Sequence, residues 1–390
     1  MIPEGEGGPL TLLVCAVEPS ADELGAELMA SLHRARGDIR FVGCGGPAMI
    51  AAGLKSEFSI DTFSVIGPLN VAKVAPAAFG AASRLGKLAS TENVDAAILI
   101  DAWAFSELAA KRIRKSNPSA KLFKYVAPQV WASRPNRAEK LEALFDGLVT
   151  LFNFETPYFE DRKLDLCWAG HGGFQKSAAE QGDPEVFRER YGIGDQRIVC
   201  GLLGSRASEV QALGDVYGRT LGLIHKKMPD LHFCLAPPDH LLDATMAAAQ
   251  AWPVPVTFIP PTEKNDLFTA ADVALAASGT VTTQLALHGT PMVVAYKIDP
   301  VSAFWARRVL TIEHVSMINI AGGRMIIPEF IQENCRAEPM ADALMVLLSD
   351  AGARARQRDA FIEIAREHLG IGGPPAGDIA ARAVLSWIAK

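Results

Sequence analysis

The segment CAVEPSADELGA sets Glu18, Ser20 and Asp22 between an apolar run and an amphipathic one. Carboxylates so placed suit hydroxyl recognition or base chemistry, and the G-x-G-x-x-G signature of a dinucleotide cradle is absent. Ser20 followed by Glu23 also reads as a plain capping box. In AAILIDAWAF, Asp101 directly follows an apolar run. An acid at the end of a buried strand is costly unless paired or used. Next comes YVAPQVWASRPNRAEK, where Trp131, Arg134 and Arg137 combine an apolar face with cations. That suits a phosphorylated, lipid-like ligand; the alternative is an exposed helix start with Pro135 early in it.

Two segments of the second half have the same strand, turn, helix form. In DVALAASGTVTTQLALHGT, Ser278, Gly279 and Thr280 offer N–H groups at a helix N-terminus, where the macrodipole favours a phosphate. Gln284 lies one turn further on, and an ordinary capped helix is the alternative. In GLLGSRASEVQAL, Ser205 can expose its amide and Arg206 can pair with a diphosphate, with Glu209 placed to close a capping box. His171, flanked by glycines in AGHGGF, is a lone histidine of structural or ligand-binding type. No metal-ligand spacing, nucleophile elbow or Ser-His-Asp order is present, so neither a metal nor a cofactor is expected.

Such residues need a scaffold that brings strand ends together. Short apolar runs (LTLLVCAV, IRFVGCGG, DAAILID, KLFKYVAP, GLVTLF) alternate with helical segments, which is the pattern of a parallel sheet covered on both faces. The pattern restarts with RIVCGLLGS, LHFCLAPP, VPVTFIP, DVALAAS and PMVVAYK. The expected fold is α/β, with two Rossmann-like doubly wound domains facing across a cleft. The expected boundaries are 1–170, a linker region 171–197 with helix character in its second half only, a second domain 198–345, and C-terminal helices 346–390.

The chain's 390 residues, 49% hydrophobic and 21% charged, fit two packed domains. Its formal net charge of −6 argues against a general nucleic-acid binder. Six scattered cysteines, three of them in or beside apolar runs, read as reduced thiols of a cytoplasmic protein. The N-terminus lacks the basic region of a signal peptide, and no apolar window is long enough to span a bilayer.

Taken in order, EPSADELGAELM, FVGCGGPAMIAAGL, YVAPQVWASRPNRAEKL, FNFETPYF, GLLGSRASEV, DVALAASGT and VSMINIAGGRMIIPEFIQENC resemble the lipid A disaccharide synthase family, glycosyltransferases of the GT-B class. The resemblance implies transfer from UDP-2,3-diacylglucosamine to the 6-hydroxyl of 2,3-diacylglucosamine 1-phosphate. The product is a β-1,6 disaccharide, formed with inversion and without a required metal. It also implies roles. Asp101 becomes the candidate base, with Glu18 and Asp22 positioning sugars together with Ser20 and His171. Trp131, Arg134 and Arg137 face the acceptor. Ser205, Arg206, Glu209, Ser278–Thr280, Gln284, Asn319 and Arg324 line the UDP side. The segment 66–88, with Lys73, Arg84 and Lys87, corresponds to the family's membrane-facing region, so peripheral association with the inner face of the inner membrane is expected, as is a homodimer. An ordinary buried helix pair is the alternative for that segment.

The pattern departs from the family at cleft-facing positions: Ala104 and Gln175 stand where aspartates are usual, Ser106 where an asparagine is, and Gln284 where a glutamate is. Two other readings follow, a transferase or epimerase acting on another UDP sugar, and a catalytically silent lipid- or nucleotide-binding homologue.

Overall fold

The computed structural model describes residues 9–60, 68–299, 303–304, 308–309 and 311–390, side chains at 68–74 excepted. Ile66, Gly67 and the Lys73 side chain of the membrane-facing segment thus lie outside the described residues. The chain forms two compact units, residues 1–175 with 368–390, and residues 176–367.

The first unit carries β1 (Leu10–Ala16), α1 (Pro19–Ala35), β2 (Ile39–Cys44), α2 (Pro47–Ala51), α3 (Pro68–Thr91), β3 (Ala96–Ile100), α4 (Trp103–Ser116), β4 (Lys121–Tyr125), α5 (Arg137–Leu144), β5 (Gly147–Thr150) and β6 (Asp165–Trp168). All the pairings are parallel, in the order β2-β1-β3-β4-β5-β6. The direction of winding reverses between β1 and β3. Right-handed crossovers therefore send α1 and α4 to opposite faces, which is why the central strands β1 and β3 are apolar at nearly every position. On one face Leu13, Cys15 and Leu99 pack with Ala82, Leu85, Ala109 and Ile113 of α3 and α4.

In the second unit, α6 (Gly172–Ala179), which begins in the first, leads to α7 (Pro184–Tyr191), β7 (Arg197–Leu202), α8 (Ala207–Lys227), β8 (Leu231–Leu235), α9 (Leu242–Ala249), β9 (Thr257–Phe258), α10 (Lys264–Ala270), β10 (Val273–Ala277), α11 (Thr280–Leu287), β11 (Met292–Tyr296), α12 (Met317–Gly322), β12 (Glu329–Ile331), α13 (Ala337–Ser349) and α14 (Ala351–Leu369). The sheet order β12-β11-β10-β7-β8-β9 reverses between β7 and β10. Two doubly wound parallel sheets are thus present, as the alternation of runs required.

The boundaries differ from the sequence-based ones. The 171–197 stretch is helical in both halves, and Asp183 caps α7 by accepting from the amides of Glu185 and Val186 at 3.0 Å. Nor do residues 346–390 stand apart. The last helix, α15 (Ala376–Ile388), belongs to the first unit and packs on α1, its Trp387 ring 5.4 Å from Phe123. Its apolar stripe (Ala380, Ala381, Val384, Leu385) can be buried only against another element, and the open face of the first sheet provides one.

Candidate active site

Each sheet opens a crevice where its winding reverses, beyond the carboxyl ends of the two central strands. In the first unit those ends carry Glu18, after β1, and Asp101, after β3. Asp101 and Ala102 both have left-handed backbone, φ 51° and 38°. The Asp101 amide donates to the Tyr125 carbonyl at 2.9 Å, and its own carbonyl accepts from Ser106 Oγ at 2.7 Å. The carboxylate is half-buried and accepts no hydrogen bond from the described residues. Partial burial and the Asp101 charge push the Glu18 carboxyl above its ordinary value, against an opposing pull from Lys124.

Asp22 and Ser20 do not behave as their spacing suggested. Asp22 is 3% exposed, and its carboxylate accepts from the amides of Gly46 (2.7 Å), Ala48 (2.8 Å) and Met49 (3.1 Å). It caps α2 and is buried away from any ligand at the surface. Ser20 lies inside the first turn of α1, whose N-cap is Glu18, so no Ser20–Glu23 box forms.

Around these acids stand groups that the sequence reading passed over. Lys124 is fully buried in β4. Glu155, 2% exposed, accepts from Trp131 Nε1 at 3.0 Å and is pushed up to about 7 by burial, despite the lowering effect of its hydrogen bonds. Each carried a signal, a charge inside an apolar run (KLFKY, FNFETPYF). Trp131 turns its polar edge inward to Glu155 and lays its ring against Phe154. Arg134, exposed, and Arg137, half-buried, form no ion pair with described residues, and burial together with the Arg134 charge lowers the Arg137 value. The pair therefore offers unneutralised positive charge to an anion. His171 stacks on Phe174 with ring centroids 4.0 Å apart, and burial lowers it to about 4, so it is neutral near pH 7.

Two departures from the family pattern have structural uses. Gln175 donates to the carbonyls of Gly370 (2.8 Å) and Pro374 (3.0 Å) and accepts from the Ala376 amide (2.9 Å), fastening the segment that leads into α15. Ser106 supports the Asp101 turn, as above. Ala104 is exposed on the first turn of α4.

In the second unit the switch point lies between β7 and β10, and there the chain places Ser205-Arg206 and Ser278–Thr280. Gly279 and Thr280 are exposed, and the first amides of α11 have no intrahelical acceptor. Gln284 is half-buried one turn along the same helix. Ser278 itself is occupied, donating its hydroxyl to the Val315 carbonyl at 2.9 Å. Ser205 does not expose its amide. That amide and the Arg206 amide donate to Glu209 Oε2, at 2.8 and 3.2 Å. Glu209 is thus a cap, not a nucleotide ligand. It also holds Arg206 Nη1 at 2.9 Å while the arginine side chain stays 56% exposed. Gly204, at φ 110°, is required here, since a Cβ would stand 2.2 Å from Glu209 Oε2.

Asn319 likewise leaves the nucleotide list. Asn319 is fully buried, accepting from the amides of Ile326 and Ile327 and donating to Ile327 O and Glu329 Oε1. Glu329 in turn accepts from the amides of Val315 and Ser316. This network shapes the loop that Ser278 holds. Arg324, 61% exposed, pairs with Glu363 at 3.5 Å.

Paired doubly wound sheets with polar strand ends define the two-Rossmann-domain class of nucleotide-sugar enzymes. In fold, the chain is similar to UDP-GlcNAc 2-epimerase from Neisseria meningitidis bound to UDP-GlcNAc (TM-score 0.59, 11% identity, covering 98% of this chain and 100% of that one). It is also similar to MurG from Acinetobacter baumannii (TM-score 0.56, 11% identity, 97% and 100% covered). Sequence narrows the class. The family profile described as lipid-A-disaccharide synthetase matches residues 12–370. Lipid-A-disaccharide synthase of Rhodospirillum centenum is 38% identical over 385 residues, covering 98% of this chain and 96% of that protein. Its counterpart in Paramagnetospirillum magneticum is 36% identical over 383 residues, covering 97% and 98%. The chain belongs to the lipid-A-disaccharide synthetase family.

Proposed function

We propose that the chain joins UDP-2,3-diacylglucosamine to 2,3-diacylglucosamine 1-phosphate through a β-1,6 link and releases UDP. Asp101, a half-buried carboxylate at the first switch point that accepts no hydrogen bond from the described residues, carries this reading. It takes the proton of the acceptor 6-hydroxyl as that oxygen attacks the donor's anomeric carbon from the face opposite UDP. UDP leaves with the electron pair of the broken C–O bond, which accounts for inversion. The charge growing on the diphosphate is met by the α11 N-terminus at Thr280 and by Arg206, so the leaving group is stabilised without a metal. Glu18 positions the sugar beside Asp101, and Arg134 with Arg137 takes the acceptor phosphate against the Trp131 ring.

The acylated substrates place the work at a lipid surface, the inner face of the inner membrane. Among the described residues no helix is long and apolar enough to cross a bilayer. Ile50 and Phe79 are each 52% exposed in α2 and α3, and Arg84 and Lys87 are exposed further along α3. Apolar side chains with nearby cations favour an anionic leaflet. A homodimer belongs to the same reading and is checked by light scattering.

The deciding experiment incubates purified protein with both substrates and follows the disaccharide by mass spectrometry, with Asp101→Asn in parallel. Product from the wild type and its loss of about a thousandfold in the variant, with UDP affinity kept, is the expected result. Undiminished product from Asp101→Asn refutes the base assignment. UDP binding without product in the wild type indicates a binding homologue.

A further inference from the structure

Lys124 is the fourth residue of β4, with Phe123 and Tyr125 beside it, and only 1% of its surface is exposed. Its Nζ donates to the carbonyls of Asp101 at 2.5 Å, Leu99 at 3.2 Å and Tyr125 at 3.2 Å. An ammonium has three donors, and here three backbone oxygens take them. Those oxygens lie at the carboxyl ends of β3 and β4, where the chain bends through left-handed residues that are not glycine: Asp101 and Ala102, and Val126 at φ 74°. Such backbone is unfavourable for these residue types and persists only when its surroundings impose it. Ser106 Oγ, on the first turn of α4, is a second donor on the same Asp101 oxygen.

We propose that Lys124 is a positioning residue for glycosyl transfer, whose ammonium clamps the left-handed Asp101–Ala102 turn and so presents the Asp101 carboxylate to the acceptor hydroxyl. This rests on the assignment of Asp101 as base. A lysine here is a poor choice for stability. Burial brings it down to about 7, although Asp101, Cys15 and Glu18 all pull the other way. An apolar side chain of similar length would fill the same space without a desolvated charge, and buried ionic groups are often replaced that way at no loss of stability. The lysine thus places a desolvated charge where, with Ser106, it donates to the backbone of the candidate base.

The test compares Lys124→Met, Ser106→Ala and Asp101→Asn with the wild type. The readouts are kcat, donor KM, UDP affinity and Tm. Lys124→Met is expected to keep or raise Tm and to keep donor KM and UDP affinity within about twofold, while kcat falls about 30- to 100-fold, the scale of a misplaced catalytic group. A kcat within about twofold of the wild type overturns the inference, as does a Tm that collapses together with kcat. Ser106→Ala reads the same clamp independently. A several-fold fall in kcat at unchanged donor KM is expected there, and an unchanged kcat counts against the clamp. An active Asp101→Asn removes the base assignment itself. An inactive Asp101→Asn beside a fully active Lys124→Met removes only the role of Lys124.

Discussion

At Glu155 a carboxyl is held almost entirely out of water by aromatic neighbours, and its bonds from Trp131 and Phe152 do not offset the loss of hydration. Its value in the fold, about 7, lies above the ordinary 4.5, so folding favours the protonated form. The stability it contributes is therefore fully present below about pH 4.5 and is lost as pH rises through about 7, by at most about 3.5 kcal/mol at about 1.4 kcal/mol per pKa unit. Glu155→Gln keeps the shape and an acceptor for Trp131 but cannot ionise. The Tm of the variant relative to the wild type should climb from about pH 5 to pH 8 and then level off. A difference that stays flat over that range would show the carboxylate to be fully compensated. Lys124 and Glu155 are charges inside apolar runs, a signal the sequence reading passed over, and burial turns both into perturbed groups beside Asp101.

At the scale of elements, the polar residues named from the sequence divide into those that hold the scaffold and those, Asp101 and Glu18, that are open to chemistry. Asp22 caps α2, Glu209 caps α8, and Asn319 with Glu329 knits the loop after β11. Asp22→Ala leaves three amides, two of them buried, without an acceptor and is expected to cost about 2–4 kcal/mol in urea unfolding of the first unit, with UDP affinity unchanged. Loss of UDP binding without loss of stability would return Asp22 to the site. The strand pattern was legible in the inner strands of both sheets because burial on two faces demands unbroken apolar runs. It was not legible at β6 and β12, edge strands of only four and three residues, half-buried throughout. Such strands need too little apolar sequence to stand out.

For the molecule as a whole, the chain enters its second unit within α6 and leaves it within α14, so that α15 completes the first. Phe79 and Ile50, each 52% exposed, are apolar surface in that first unit. If they meet a lipid surface, Phe79→Glu should lower sedimentation with anionic vesicles several-fold without changing Tm, since Glu is both polar and repelled by the leaflet. Equal vesicle binding by variant and wild type would move the membrane contact elsewhere on the chain.

By itself the sequence determined two parallel sheets, the order of their elements and the turns that fall at the strand ends. These follow from local periodicity, and apolar runs of strand length leave few other solutions. Tertiary structure decided which of the polar residues in those turns are free. The amides that occupy Asp22 lie more than 20 residues away, at Gly46, Ala48 and Met49. The carbonyl clamped by Lys124 likewise belongs to the turn that follows a neighbouring strand, 23 residues earlier. A hydrogen bond consumes a group's capacity whatever the distance along the chain, and spacing in sequence carries no record of it.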